Sequence, residues 1–294
     1  MKKNVLNLSL LAGAILAMGA LGTACSGGDD DDDDDGGGRP VVIQEDGGAA
    51  DFTTCQTATG SGGNISLTVL VGKQGLDTGA APAPTPGSIV SYFDPLTGQT
   101  SGASAPTDAA GLTNVTAPAN TLAAFKVTHP TDGATTFVDA YDYGRLTPAT
   151  SNTNGGPVFN LRVIPTSVRN AIAAILGPPV ENLAGLTSFA GSVTDCAGEP
   201  IIGATLELPG TGEPNRCSSS ATLPCVSYST DTGEDFTEAS AQVFVLGLPG
   251  SGQITMNVMG IVTDGAAPVQ IGSITVRGQG DTIALGAIPA QNVN

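Results

Sequence analysis

The segment that most constrains the fold is residues 188–208, SFAGSVTDCAGEPIIGATLEL. Small and apolar residues lead into a turn that contains Asp195, Cys196 and Gly198, and a second apolar stretch follows. This pattern predicts a strand, a tight turn and a second strand. Nothing in the segment indicates catalytic chemistry, so we interpret it as part of a β scaffold.

Residues 191–206 resemble the opening hairpin of the carboxypeptidase regulatory-like domain. Two later features of that family, a Thr-Asp turn followed by an aromatic residue and a Leu-Pro-Gly turn, are matched at residues 230–236 and 243–250. The resemblance covers residues 189–288. It implies a prealbumin-like β-sandwich that serves as an accessory module, and the family has no shared catalytic residues to transfer.

The chain before this segment also has the residue pattern of β-strands. Residues 65–71 alternate apolar and polar side chains, which predicts a half-buried strand. Residues 64–164 are a looser copy of residues 189–294, which indicates an internal duplication. We predict an all-β fold of two tandem antiparallel β-sandwiches, prealbumin-like and joined by a short helix. The predicted units are a first sandwich at 64–164, a helical connector at 165–188 and a regulatory-like sandwich at 189–294.

The connector contains the one predicted helix, Thr166–Leu176. Its apolar face is formed by three residues at i, i+4 and i+7: Val168, Ile172 and Ile175. We interpret this face as packed against a sheet, with a partner-binding surface as the alternative. Thr166 or Ser167 is expected to cap the helix, and Gly177 is expected to end it.

Residues 1–24 have the layout of a secretory signal peptide, because lysines precede an apolar stretch that ends in small residues. The five residues LGTAC that end at Cys25 resemble the lipobox of bacterial lipoproteins. The resemblance implies cleavage before Cys25 and a lipid on its thiol, and Ser26 resembles the residue found in lipoproteins sent to the outer membrane. Two alternatives stay open: an uncleaved helical anchor and cleavage without a lipid.

Residues 25–63 are predicted to be a disordered tether, with a short strand considered at residues 40–43. Seven consecutive aspartates, residues 29–35, lie between glycine-rich stretches and repel one another. A calcium site on this run is the alternative. The whole chain of 294 residues has a net charge of −17, and its ten basic residues are scattered. This charge excludes nucleic acid as a partner.

Four cysteines follow Cys25, and an even number in an exported chain predicts two disulfides. They are Cys55, Cys196, Cys217 and Cys225. Three pairings are possible. The short spacing of the last two favours a local bridge between them, which leaves the first two as the other pair. A zinc site competes, but the cysteine spacing is not typical of zinc and the single histidine is remote.

The candidate ligand-binding residues are Tyr141, Asp142 and Tyr143, with Asp139 nearby. A loop of this composition at a sandwich end is suited to stacking on a sugar or binding a metal, and the alternative is that the tyrosines cap the core. His129 is predicted to be an exposed turn residue, since no Gly-x-Ser-x-Gly elbow accompanies it. Asp231, Glu234 and Asp235 are predicted to form a solvated turn, with a calcium-binding turn as the alternative.

These features predict a non-enzymatic, lipid-anchored protein of the cell envelope, at the outer membrane and facing the periplasm or the surface. Its predicted role is a structural or binding scaffold. The alternative is a surface adhesin or carbohydrate-binding module that uses loops 141–156 and 209–224. No cofactor or metal is expected. The expected partners are the membrane, through the lipid, and an envelope polysaccharide or protein.

Overall fold

The computed structural model describes residues 40–53, 55, 58, 60, 62–75, 82–152, 156–208, 212, 214–228, 235–238 and 241–293. The signal peptide, Cys25 and the aspartate run lie outside these residues, and so do Asp231 and Glu234. The described residues are mostly strand, and they confirm the prediction of an all-β sandwich protein. No helix among them is long and apolar enough to cross a membrane.

The strands before the helix are β1 Ile43–Gln44, β2 Asn64–Lys73, β3 Ala83–Pro84, β4 Ile89–Phe93, β5 Thr100–Ser101, β6 Leu112–Pro118, β7 Leu122–Thr128, β8 Phe137–Val138, β9 Ala140–Leu146 and β10 Phe159–Pro165. The helix is α1 Thr166–Leu176, and a 3-10 turn, Val180–Leu183, follows it. The remaining strands are β11 Thr187–Thr194, β12 Ile201–Ile202, β13 Thr205–Glu207, β14 Asn215–Arg216, β15 Cys225–Ser227, β16 Gln242–Leu248, β17 Gln253–Gly260, β18 Val269–Arg277 and β19 Thr282–Pro289.

One large sheet occupies the centre of the molecule. Its nine strands follow the order β14-β15-β16-β11-β19-β9-β7-β4-β5. A second sheet contains β3, β2, β10 and β8, with β6 also paired to β2, and a third has the order β13-β17-β18. The strands β1 and β12 form a separate pair. The central sheet therefore contains strands from both predicted sandwiches.

The last strand, β19, joins the two halves of the central sheet. It runs parallel to β11 on one side, with Phe189 opposite Ala284, and parallel to β9 on the other, with Tyr141 also opposite Ala284. Two further pairs, β2 with β10 and β14 with β15, are parallel as well. Parallel strands cannot be joined by a tight turn, and α1 is one of the elements in the long stretch of chain between β9 and its parallel partner β19. The sheets are thus mixed, and the prediction that the sandwiches are antiparallel is wrong for these pairs.

Side chains alternate between the two faces of the central sheet. On β7, Phe125 and Val127 join the core formed with the five-stranded sheet, whereas Ala124 between them joins the core formed with the three-stranded sheet. Tyr141 and Tyr143 on β9 also point into the second core. The central sheet is therefore the middle layer of two sandwiches that lie on its opposite faces. The proposed boundaries of the two units remain a prediction.

Helix α1 has the predicted bounds, and two of the three residues of its predicted face, Val168 and Ile172, pack against the cores as expected. Val168 packs in a small core with Ile164 and Ile283, and Leu176 packs in another core that includes Leu246. Ile175 is 42% exposed, so its assignment to the buried face is wrong. The predicted caps are also wrong, because Pro165 occupies the N-cap position without any side-chain cap. Gly177 ends the helix as expected.

The predicted hairpin at residues 188–208 separates into strands of different sheets. Its first half is β11 in the central sheet. Its second half is β12 and β13, which pair with β1 and β17. Only the bridge between Thr194 and Pro200 links the two halves directly among the described pairings. Gly203 has a φ of +83°, a conformation that favours glycine, and the chain bends there between β12 and β13.

Residues 40–53 and Cys55, which we call the arm, fold against the second half of the body. Val42 and Phe52 are 4% and 6% exposed and belong to the core beside the three-stranded sheet. The predicted tether of residues 25–63 therefore extends too far along the chain. The arm is ordered because two large apolar side chains in it are buried, and each such burial contributes about 1.5–3 kcal/mol.

Candidate functional site

The three candidate ligand-binding residues lie on strand β9 and not on a loop. Tyr141, Asp142 and Tyr143 are 5%, 2% and 2% exposed. The tyrosines point into one core and Asp142 points to the opposite face of the sheet, where its strand partner is Phe125. The surface loop assumed for these residues is therefore wrong, and the alternative, that the tyrosines belong to the core, agrees with the structure.

Asp142 is held by a two-point ion pair. Arg145 donates through Nε to Oδ1 at 2.6 Å and through a terminal nitrogen to Oδ2 at 3.0 Å. Burial raises the pKa of Asp142, while the charges of Arg145 and Arg162 act to lower it. Arg145 also lies over the Phe159 ring, 5.9 Å from its centre. Both oxygens of the carboxylate are occupied by Arg145, so this group serves the fold.

Tyr143 connects the central sheet to the three-stranded sheet. Its hydroxyl accepts a hydrogen bond from the backbone N–H of Arg277 at 3.0 Å. Burial raises the pKa of Tyr143 to about 12. Phe93 makes edge contacts with the rings of Tyr143 and Tyr141, at centroid distances of 6.2 and 4.8 Å. The two tyrosines therefore form part of an aromatic cluster between the layers.

Asp139 lies next to this cluster, between β8 and β9, and its side chain is partly exposed. Lys126 Nζ is 2.7 Å from Asp139 Oδ2 and 5.5 Å from the centre of the Tyr141 ring. Burial acts to lower the pKa of Lys126, but the hydrogen bond to Asp139 and the charges nearby raise it overall. The Asp139 side chain is 42% exposed, so this pair is a partly exposed ion pair of small energetic weight.

His129 was predicted to be exposed, but it is partly buried and has a side-chain partner that is distant in sequence. Its Nδ1 is 2.9 Å from Oγ of Ser88, and its ring meets Phe137 edge-on at 4.5 Å. Burial lowers the pKa of His129. The Ser88 residue is 0% exposed, and Thr107 Oγ1 accepts a hydrogen bond from its backbone N–H. A substrate has no access to this hydroxyl, so the Ser-His pair is structural.

Both disulfides form with the favoured pairing. Cys217 is bonded to Cys225 across 8 residues, and Cys55 is bonded to Cys196 across 141 residues. The first bridge closes a loop in which residues 218–220 are exposed. The second fastens the arm to the turn after β11. The prediction of two disulfides among these cysteines is confirmed.

The site that sequence reasoning missed is the carboxylate of Asp195, where the arm meets this turn. Its Oδ1 accepts hydrogen bonds from the backbone N–H groups of Ala197 and Glu199, both at 2.9 Å. Its Oδ2 accepts from Gln44 Nε2 at 2.8 Å and from the Asp51 N–H at 3.0 Å. Burial acts to raise the pKa of Asp195, but these hydrogen bonds lower it overall. The turn was visible in the sequence, whereas its contact with the arm was not.

The described residues do not support the calcium-binding turn predicted as an alternative at Asp231, Glu234 and Asp235. Asp235 pairs with Arg216, with Nε to Oδ1 at 3.0 Å, and its two predicted co-ligands lie outside the described part of the chain. Within that part, no three His, Cys, Asp or Glu residues are grouped so that they could hold a metal ion.

No protein-family model matches the chain, and a search of curated proteins finds no match. Among solved structures, the chain is similar to the TIE protein of Bacillus anthracis, with 9% identity and a TM-score of 0.22 over 77% of this chain and 34% of that one. It is also similar to a Streptococcal ancillary pilin, with 9% identity and a TM-score of 0.23 over 79% and 70% of the two chains. The major pilin of Streptococcus pyogenes, in a mutant form, matches with 11% identity and a TM-score of 0.18 over 79% and 99%.

This chain therefore spans about a third of the Bacillus anthracis protein, 34% of its length. TM-scores of this size carry no conclusion about a shared fold or a shared function. The resemblance to the regulatory-like domain remains a hypothesis.

Proposed function

We propose that this protein is a non-catalytic, lipid-anchored component of the cell envelope whose β-sandwich body acts as a structural or binding scaffold. The observation that carries the proposal is the pairing of all four cysteines after Cys25 in two disulfides. Disulfides form and persist in oxidising compartments, which agrees with the predicted export signal. The predicted lipid site at Cys25 then leaves the body attached to the outer membrane by residues 26–39.

The non-catalytic part of the proposal is supported by what the chemically suggestive side chains do. The carboxylate of Asp142 is engaged by Arg145, and the hydroxyl of Ser88 is enclosed. The adhesin or carbohydrate-binding alternative is weakened, because the tyrosines expected to contact a ligand, Tyr141 and Tyr143, are buried in the core. We therefore propose the scaffold role ahead of that alternative, and we retain the regulatory-like resemblance for residues 189–288 as part of the proposal.

The anchor is tested by growing cells with a labelled fatty acid and comparing the chain with its Cys25→Ser variant. We expect label on the first and none on the second, and we expect the variant to leave the membrane fraction. Ser26→Ala is the matched control, because it changes the neighbouring residue and keeps the thiol. Label that persists in Cys25→Ser, or a wild-type chain without label, would contradict the lipid anchor.

A further inference from the structure

The arm is attached to the body in two different ways. Residues 40–53 are held by non-covalent contacts, whereas Cys55 at the end of the arm is held by its disulfide to Cys196. The residues before the arm are the predicted tether. Tension that arrives through the tether would therefore reach the non-covalent contacts first and the disulfide second.

The non-covalent contacts are specific. Strand β1 pairs with β12, and the N–H of Val42 donates to the carbonyl of Ile261 at 2.9 Å. The body leaves room for the Val42 side chain, since a Cβ at Gly260 would lie 3.0 Å from Val42 Cγ2. Further along the arm, the Asp51 N–H bonds to Asp195, and the carbonyl of Phe52 accepts from the Val293 N–H at 3.0 Å.

The disulfide closes a covalent loop of 141 residues. The strands of the five-stranded sheet, from β2 to β10, all lie within this loop. Cys196 follows β11, which pairs along its length with the C-terminal strand β19. Tension between the N-terminal side of Cys55 and the C terminus therefore passes from Cys55 to Cys196 and bypasses the five-stranded sheet.

We propose that the arm is a reversible extension segment whose length is limited by the Cys55–Cys196 disulfide. Under tension the arm detaches from residue 40 onward, and the disulfide then stops the extension and leaves the five-stranded sheet unloaded. The released length is about 50 Å for residues 40–54, at about 3.6 Å per residue. The physiological role rests on the proposed anchor, because the anchor is the source of the tension.

The test is optical-trap pulling on the whole chain carrying Cys25→Ser, gripped through a peptide tag inserted after Gly38 and a second tag after Asn294. With the disulfides oxidised, we expect a reversible step of about 50 Å before the body unfolds. Addition of a phosphine reductant should then make about 500 Å of hidden length available, from the 141-residue loop. The bridge across 8 residues adds only about 30 Å, so the two disulfides are distinguishable.

Two variants assign the early step to the arm. Val42→Ala should shorten the lifetime of the docked arm by about tenfold, because two methyl groups leave the core. Val115→Ala is the control, since this valine is equally enclosed but lies inside the covalent loop, and it should leave the early step unchanged. The absence of the early step, or release of the hidden length while the disulfide is intact, would overturn the proposal. The measurement does not use the lipid, so its failure is separate from a failure of the fatty-acid labelling.

Discussion

At the scale of single residues, the Asp195 carboxylate joins segments that are distant in sequence. It accepts two hydrogen bonds from its own turn and two from Gln44 and Asp51 of the arm. Four N–H donors favour the ionised carboxylate, and its pKa is lowered from the ordinary value of 3.8 despite the opposing effect of burial. A carboxylate with a lowered pKa stabilises the fold above its unfolded pKa, and this contribution disappears as the pH falls through the folded pKa.

We therefore expect Asp195→Asn to lower the free energy of unfolding by about 1.5–3 kcal/mol at pH 7, the range for hydrogen bonds to charged groups. The difference between wild type and variant should shrink when denaturant melts are repeated as the pH falls from 3.8 towards the lower pKa of the folded carboxylate. In that range the unfolded chain binds a proton at Asp195 while the folded chain still holds the ionised carboxylate. Asp46→Asn removes the same charge from an exposed part of the arm and should change stability by less than about 0.5 kcal/mol. An Asp195→Asn loss that stays constant down to the lowest pH would argue against this account.

At the scale of elements, helix α1 shows that packing shifts the buried face from the one that sequence periodicity predicts. The i, i+4, i+7 pattern correctly placed Val168 and Ile172 on the packed face, but it included Ile175, where the structure has Ala173 and Leu176 instead. The period of an α-helix fixes which residues share a face, whereas the neighbouring strands decide where that face is centred. Here the 217–225 loop contributes to the same core as Leu176, which rotates the buried face away from the predicted stripe.

A pair of adjacent substitutions tests this assignment. Leu176→Ala should lower the free energy of unfolding by about 2–5 kcal/mol, because it opens a cavity in a packed core. Ile175→Ala should change it by no more than about 0.5 kcal/mol, since that side chain is exposed. Urea melts of the two variants give the comparison directly. Equal losses, or a larger loss at Ile175, would restore the predicted face.

At the scale of the whole molecule, the central sheet makes the two cores interdependent. Strand β19 bonds to β11 from one half and to β9 from the other, and Tyr143 bonds to Arg277 across the layers. Unfolding either core would expose one face of the shared sheet to water. This arrangement favours a single unfolding unit, although the sequence suggests two sandwiches in tandem.

Calorimetry with the disulfides oxidised should accordingly show one transition, with equal calorimetric and van't Hoff enthalpies. Val115→Ala in one core and Val258→Ala in the other provide a matched pair, as both valines are fully enclosed. Each should shift the same transition downward, by about 2–4 °C per kcal/mol lost. Two resolved transitions, each moved by only one of the variants, would instead establish two independent units.

The local features of this protein follow from patterns within short stretches of its chain. Alternation of apolar and polar residues located β2, the prolines and glycines located the ends of α1, and cysteine spacing favoured the disulfide pairs that formed. These features depend on residues close together in the chain or on a small number of possible pairings. Long-range packing, by contrast, sets the pairing of β19 with β9, the burial of Tyr141 and Tyr143, and the docking of the arm at Asp195. Such contacts join residues from distant parts of the chain. A local pattern shows that a side chain is apolar or that a turn forms, but not which distant strand will cover it.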